Sequence, residues 1–246
     1  MKDNFSNHSK QYSVFRPTYP DEAIEFILNL VNNKTNVWDC GTGNGQLAAK
    51  LSPFFQHIYA TDISENQITN AVKKDNISYK VVAAENVIFE QNFFDLITVA
   101  QAIHWFDFEK FYEKVYLTLK PNGIIAIIGY NLMKIDEESD KIIRHLYSTI
   151  LGDKYWDKER KYLDEQYKTI PFPFQELQTP SFSQKVKWNL EELIGYLNTW
   201  SAVQHFIKAN GINPVDEVKK EFENIWGKEK QKEVIFPTLL RIGKLK

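Results

Sequence analysis

The residues best placed to do chemistry stand in one short run, Val37-Trp38-Asp39-Cys40-Gly41-Thr42-Gly43-Asn44-Gly45. Its glycines let the chain turn sharply and let a ligand approach the main chain without meeting a Cβ. One carboxylate, Asp39, precedes the first glycine by two residues, and a second, Asp62, follows it by twenty-one. An acid at the end of a second strand can accept both hydroxyls of a ribose. The pattern therefore describes a nucleoside-binding turn with acidic groups on both sides.

The sign of that charge restricts the ligand. A pyrophosphate would be repelled by Asp39, and the glycines run G-x-G-x-G, not G-x-G-x-x-G. A cationic nucleoside fits better, and S-adenosylmethionine carries both an ammonium group and a sulfonium. In a purely structural role, Asp39 would cap the turn and Asp62 would cap a helix starting near Ser64. An NAD(P)-dependent oxidoreductase stays open as an alternative, with the glycine spacing and Asp39 arguing against it.

Elements of the right kind surround these residues. Pro17 and Pro20 interrupt the polar opening segment, and Asp21 caps a helix with Ile24, Ile27, Leu28 and Val31 on one face. Strands are expected at 37–40, 57–61, 78–83, 94–100 and 124–130, with helices at 46–55, 64–73 and 108–119 and a turn at 120–123. The unbroken apolar run 94–100 suits a strand buried on both faces. This alternation predicts right-handed βαβ units and a parallel sheet. Residues 135–170 are helical, charged and aromatic, and prolines 171, 173 and 180 follow. Strands at 183–188 and 233–242 and helices at 191–209 and 215–226 complete the reading. A single domain is expected, with a lid at 1–20, a cofactor-binding core at 34–130, a helical insert at 131–179 over the carboxyl edge of the sheet, and C-terminal strands and helices at 180–246.

The glycine run, its two acids and this order of elements resemble the class I S-adenosylmethionine-dependent methyltransferases. The resemblance implies an α/β, doubly wound, seven-stranded and mostly parallel sheet with an antiparallel terminal pair. It implies that Asp39, Gly41 and Gly43 hold the methionyl part, with Asp62 on the ribose and Ile63 beside it. Ala84 and Glu85 would contact the adenine, and Gln101 and Trp105 would lie beside the cofactor. The runs Tyr12-Ser-Val-Phe-Arg16-Pro17-Thr-Tyr19-Pro20 and Ala102-Ile-His104-Trp105-Phe106-Asp107 are similar to a small-molecule subgroup that includes trans-aconitate methyltransferases. Tyr12, Arg16 and Tyr19 would then close over the cofactor as a lid, mobile until ligand binds. Arg16 could pair with a carboxylate of cofactor or acceptor.

On the acceptor side, a carboxylate would need no base, whereas a hydroxyl or amine would. His104 is the candidate base by its ordinary pKa range and its placement. Aromatics make up 14% of the chain and continue past position 146, so a small, partly apolar acceptor is expected beneath the insert, near Trp200, Ser201, Gln204 and His205. The net charge of −2 gives no basic face for nucleic acid, and the Lys-rich runs at 154–161 and 228–232 read as solvated helix faces. The single cysteine, Cys40, excludes an intrachain disulfide and suits the reducing cytoplasm. No apolar stretch suggests a signal segment or a membrane span. His8 and His57 lack ligand spacing, so no metal is expected. A non-catalytic cofactor-binding or partner subunit on the same fold stays open. A protein or nucleic-acid methyltransferase is disfavoured by the enclosed lid.

Overall fold

Buried strands alternate with short amphipathic helices through the first half of the chain. The computed structural model describes residues 15–226 and 231–245. The opening helix α1 (Asp21–Leu30) buries Ala23, Ile24, Ile27 and Leu28 along one face. Then come β1 (Asn36–Cys40), α2 (Gln46–Leu51), β2 (His57–Asp62), α3 (Glu65–Thr69), β3 (Ile77–Val81) and β4 (Phe94–Ala100). They are followed by α4 (Phe108–Thr118), capped by the Asp107 side chain, and β5 (Leu119–Tyr130). Strands β1 to β5 pair in parallel. In β1 and β4 alternate residues feed two separate cores. Val37 and Leu96 join the core on one face of the sheet, and Trp38, Cys40, Ile97 and Val99 join the core on the other. That is why these strands read as unbroken apolar runs.

The sheet has eight strands in the order β3-β2-β1-β4-β5-β8-β6, with β7 also paired to β8. The count of seven expected from sequence is therefore low by one. The long final strand β8 (Lys232–Lys244) accepts two short partners in tandem. Strand β6 (Gln175–Leu177) pairs with its end and β7 (Ser183–Trp188) with its beginning, both antiparallel. Three residues between prolines give no periodic signal, so β6 was not visible as a strand.

Two other expectations change. The turn at 120–123 lies inside β5, where it bulges: Phe94 faces Leu119, yet Leu96 faces Ile124. The bulge sets Lys120 Nζ 2.7 Å from Asp95, whose other oxygen accepts the amides of Thr35 and Asn36 at the head of β1. The single helix expected at 191–209 is two, α8 (Leu190–Asn198) and α9 (Ser201–Asn210), separated at Thr199 and Trp200. Between β5 and β6 run α5 (Glu137–Arg144), a π-helical turn over His145–Leu151, α6 (Gly152–Tyr155) and α7 (Lys161–Asp164). Helix α10 (Val215–Ile225) precedes β8. No described helix is long and apolar enough to cross a membrane.

Candidate active site

The strand order reverses between β1 and β4, and in open α/β sheets ligands bind at such a switch point, outside the carboxyl ends of the strands. The loops after β1, β2 and β4 converge there on a cleft of about 840 Å³, part of it open to solvent. Arg16, Tyr19, Gly41, Gly43, Asp62, Ile63, Gln101 and Trp105 all line it. Eight of the residues singled out in sequence thus meet at one place.

The floor is built from the glycine run. Thr42 N–H donates to Thr61 O at 2.9 Å, tying the loop to the end of β2. Asp62 clamps it from the side, accepting the Gly43 amide at 2.8 Å and the Ser64 amide at 2.9 Å. Ser64 in turn caps α3 by accepting the Gln67 amide. Ser64, not Asp62, is therefore the helix cap, while Asp62 fixes the backbone at Gly43 and Ser64 and lines the cleft. Asp39 does not reach the cleft wall. It is fully buried and accepts the hydroxyls of Thr42 at 2.5 Å and Thr98 at 2.7 Å. Burial pushes its pKa up to about 6 despite those bonds.

The far wall comes from the loop after β4. Gln101 sits at φ 52°, a left-handed conformation uncommon for a residue with a side chain. Its amide Nε2 donates to Tyr130 O at 3.2 Å and its Oε1 accepts from the Tyr167 hydroxyl at 3.2 Å. Residues 15–20, the described end of the expected lid, are docked on the core. Arg16 donates to the Tyr130 hydroxyl and to Thr199 O, both at 3.1 Å, and stacks over the Tyr196 ring. Tyr19 is buried against Tyr130. Single aromatic and arginine anchors, not a periodic stripe, hold this segment, so its docking left no pattern in the sequence. Tyr12 and His8 lie outside the described residues, as does most of the Lys-rich run at 228–232.

Ala84 and Glu85 do not line the cleft. Glu85 Oε1 accepts the Asp107 amide at 2.9 Å and so ties the loop after β3 to the start of α4. Gln204 and His205 are likewise structural, bonded to Asn198 O and Tyr155 O, whereas Trp200 and Ser201 border a second cavity. Sequence reasoning missed Gln67 and Tyr130 on the cleft wall. Gln67 stands on the inward face of α3 behind the Ser64 cap, a signal that could have found it. Tyr130 closes a long strand and reaches the site only through the sheet order. Among the described residues no group of His, Cys, Asp and Glu could hold a metal ion.

His104 is 6% exposed, and its Nδ1 has no hydrogen-bond partner. Burial, helped by the charge of Arg160, pushes its pKa down to about 3. Such an imidazole is neutral at physiological pH and a poor proton acceptor. It also has a consequence for stability. Unfolded, the ring takes a proton near pH 6.5, so the unfolded state binds more protons from pH 6.5 down to 3 and the folded state loses stability across that window. Asp39 acts oppositely between pH 6 and 3.8, because there the folded state holds the extra proton. His104→Gln is therefore expected to gain stability relative to the parent chain by about 1.4 kcal/mol for each pH unit below 6.5. Urea unfolding at pH 4 to 7 measures this, and parallel pH curves for the two proteins would show that His104 is not held neutral.

The residues of the cleft fit a nucleoside with a cationic tail. Gln67 Oε1 is buried without a donor. It stands 4.0 Å from where a Cβ on Gly43 would project, with nothing else so near. An orphaned acceptor beside open space is stabilised by a ligand that brings a donor. The Asp62 carboxylate adds the negative charge, and Leu47, Ile63 and Trp105 supply apolar wall.

Comparison with known proteins agrees. Residues 38–127 match the model of a methyltransferase domain family. A Dictyostelium discoideum protein named "putative methyltransferase" is 37% identical over 98% of this chain and 95% of its own length. An uncharacterised Schizosaccharomyces pombe methyltransferase is 24% identical over 88% of this chain and 83% of its own length. The solved structure of a "putative type II methyltransferase" from Anaeromyxobacter dehalogenans superposes with a TM-score of 0.86 at 32% identity, covering 94% of this chain and 98% of that one. Fold and cleft thus define an α/β nucleoside-binding enzyme of the class I type. The chain belongs to the S-adenosylmethionine-dependent methyltransferases.

Proposed function

We propose that this methyltransferase acts on a small-molecule acceptor through a carboxylate oxygen. The observation that carries the reading is the state of His104. The imidazole beside the cleft is buried and neutral, with a pKa of about 3, so an acceptor that needs no proton removed suits the site. When bound, S-adenosylmethionine supplies an activated methyl group on a sulfonium, and a carboxylate is already ionised to receive it. The chain's own residues position the two partners, and positioning is a large source of rate. Asp62, Gly41 and Gly43 hold the donor with Ile63 against it, Gln67 accepts from its polar tail, and Trp105 and Gln101 face the acceptor side. Arg16 and Tyr19, with Tyr12, cover the pocket and exclude water. The resemblance of the 12–20 and 102–107 runs to a small-molecule subgroup supports the same reading. The absence of a basic face in the composition supports a small acceptor over nucleic acid, and the lone Cys40 supports a cytoplasmic setting.

Calorimetry is expected to show S-adenosylhomocysteine binding and no heat with NAD. A screen of carboxylic acids, phenols and amines with methyl-labelled donor should place label on acids, as esters that release volatile methanol in alkali. Label found only in alkali-stable products would exclude the carboxylate reading.

A further inference from the structure

A second, smaller cavity of about 500 Å³, part of it open to solvent, lies behind the cleft and shares Arg16, Gln101 and Trp105 with it. Its remaining wall comes largely from the segment between β5 and β6 and the start of α9, with His104, Trp156, Arg160, Leu163 and Trp200 facing inward. Arg160 is anchored by Tyr147, Trp156 and Asp164. Its Nε donates to the Tyr147 hydroxyl at 2.9 Å and lies 3.6 Å from Asp164. Its guanidinium stacks over the Trp156 ring at 4.7 Å and the Tyr147 ring at 5.2 Å. The two terminal nitrogens make no hydrogen bond to any described residue, which leaves the forked end of a rigidly stacked cation available to a ligand. On the same cavity, the buried Nδ1 of His104 is a second polar atom without a partner. Trp156, Trp200 and Leu163 supply apolar wall, and Asp157 and Ser201 add a carboxylate and a hydroxyl to it, the Asp157 carboxylate lying 4.0 Å from His205 Nδ1.

We propose that this cavity is the acceptor site, that it takes a small organic acid with an apolar body, and that Arg160 is its specificity-determining residue. Arg160 grips an anionic oxygen of the acceptor, the tryptophans cover its body, and the shared Gln101 and Trp105 edge turns the acceptor toward the cleft. The proposal rests on the cleft being the S-adenosylmethionine site.

The test separates the two. S-adenosylhomocysteine binding is first measured by calorimetry, and its absence would count against the cleft assignment alone. The protein saturated with S-adenosylhomocysteine is then titrated with benzoate, phenylacetate, cinnamate and hexanoate, and with their neutral amides, following tryptophan fluorescence. Acids are expected to bind at least tenfold more tightly than the amides. Arg160→Gln should abolish that preference while changing S-adenosylhomocysteine affinity less than twofold, and Arg160→Lys should keep part of it. Ser201→Asp adds a carboxylate to the same wall without touching Arg160, at the first position of a helix, where an acid is tolerated. It should weaken acids at least tenfold and spare the amides, which keeps the test decisive if Arg160→Gln fails to fold. Equal binding of acids and amides, no binding of any acid to the parent chain, or an unchanged preference in Ser201→Asp would each overturn the proposal.

Discussion

Asp62→Ala is expected to weaken S-adenosylhomocysteine binding about ten- to a hundredfold, measured by calorimetry. A hydrogen bond to a charged acceptor contributes about 1.5–3 kcal/mol, and each 1.4 kcal/mol is a factor of about ten. The structure adds a second route to the same loss. Asp62 also holds the amides of Gly43 and Ser64, so removing it loosens the loop that forms the floor of the cleft. Asp62→Asn separates the two effects, since its remaining side-chain oxygen can still accept one of those amides. It should unfold close to the parent midpoint yet bind less tightly, because the charge is gone. Unchanged affinity in a folded Asp62→Ala protein would reduce the residue to a loop clamp.

Two glycines two residues apart should fail in opposite ways. Both have left-handed backbone, φ 67° at Gly41 and 56° at Gly43, and a Cβ there costs about 1–2 kcal/mol. Beyond that they differ. A Cβ on Gly41 would stand 2.5 Å from the Cβ of Ala102, an atom fixed to backbone, and 3.2 Å from Phe106. Overpacking of that kind adds about 1–3 kcal/mol, so Gly41→Ala should lose about 3 kcal/mol of stability in urea unfolding. A Cβ on Gly43 would point into the cleft with only Gln67 Oε1 at 4.0 Å. Gly43→Ala should therefore stay folded, at a cost near the backbone term alone, and lose at least tenfold in S-adenosylhomocysteine affinity. Equal stability of the two variants would refute this division of labour.

The parts of the site that could be read in the sequence are those where one local rule fixes the position. The glycine run after a buried strand, and an acid at the end of the next, are local patterns, and the structure puts them where they were expected. Strand β4 matched to the residue because a strand buried on both faces leaves no ambiguity. The rest depends on contacts between distant segments. Asp39 looked like a ligand contact because its carboxylate adjoins the glycines, yet the alternation of a strand points it into the sheet, toward Thr98. Glu85 is close to the cleft in sequence but satisfies the head of α4. The stacking of Arg160 on Trp156 and Tyr147 joins a π-helical turn to a short helix, a geometry with no periodicity to detect.

Strand β8 carries a cost that the finished fold conceals. It alone pairs with β5, β6 and β7, and its partners on β5 lie more than a hundred positions earlier in the chain. The parallel part of the sheet, β1 to β5, assembles from pairings of shorter reach, whereas the edge of β5 that ends at Tyr130 must wait for a distant strand. Loop-closure entropy makes such pairing slow. Until it is complete, the seven-residue apolar end of β5, Ile124 to Tyr130, presents an open edge that can pair with another chain as readily as with its own. For this fold, the step most exposed to aggregation is the pairing of β5 with β8, which also fixes the Tyr130 edge of the cleft.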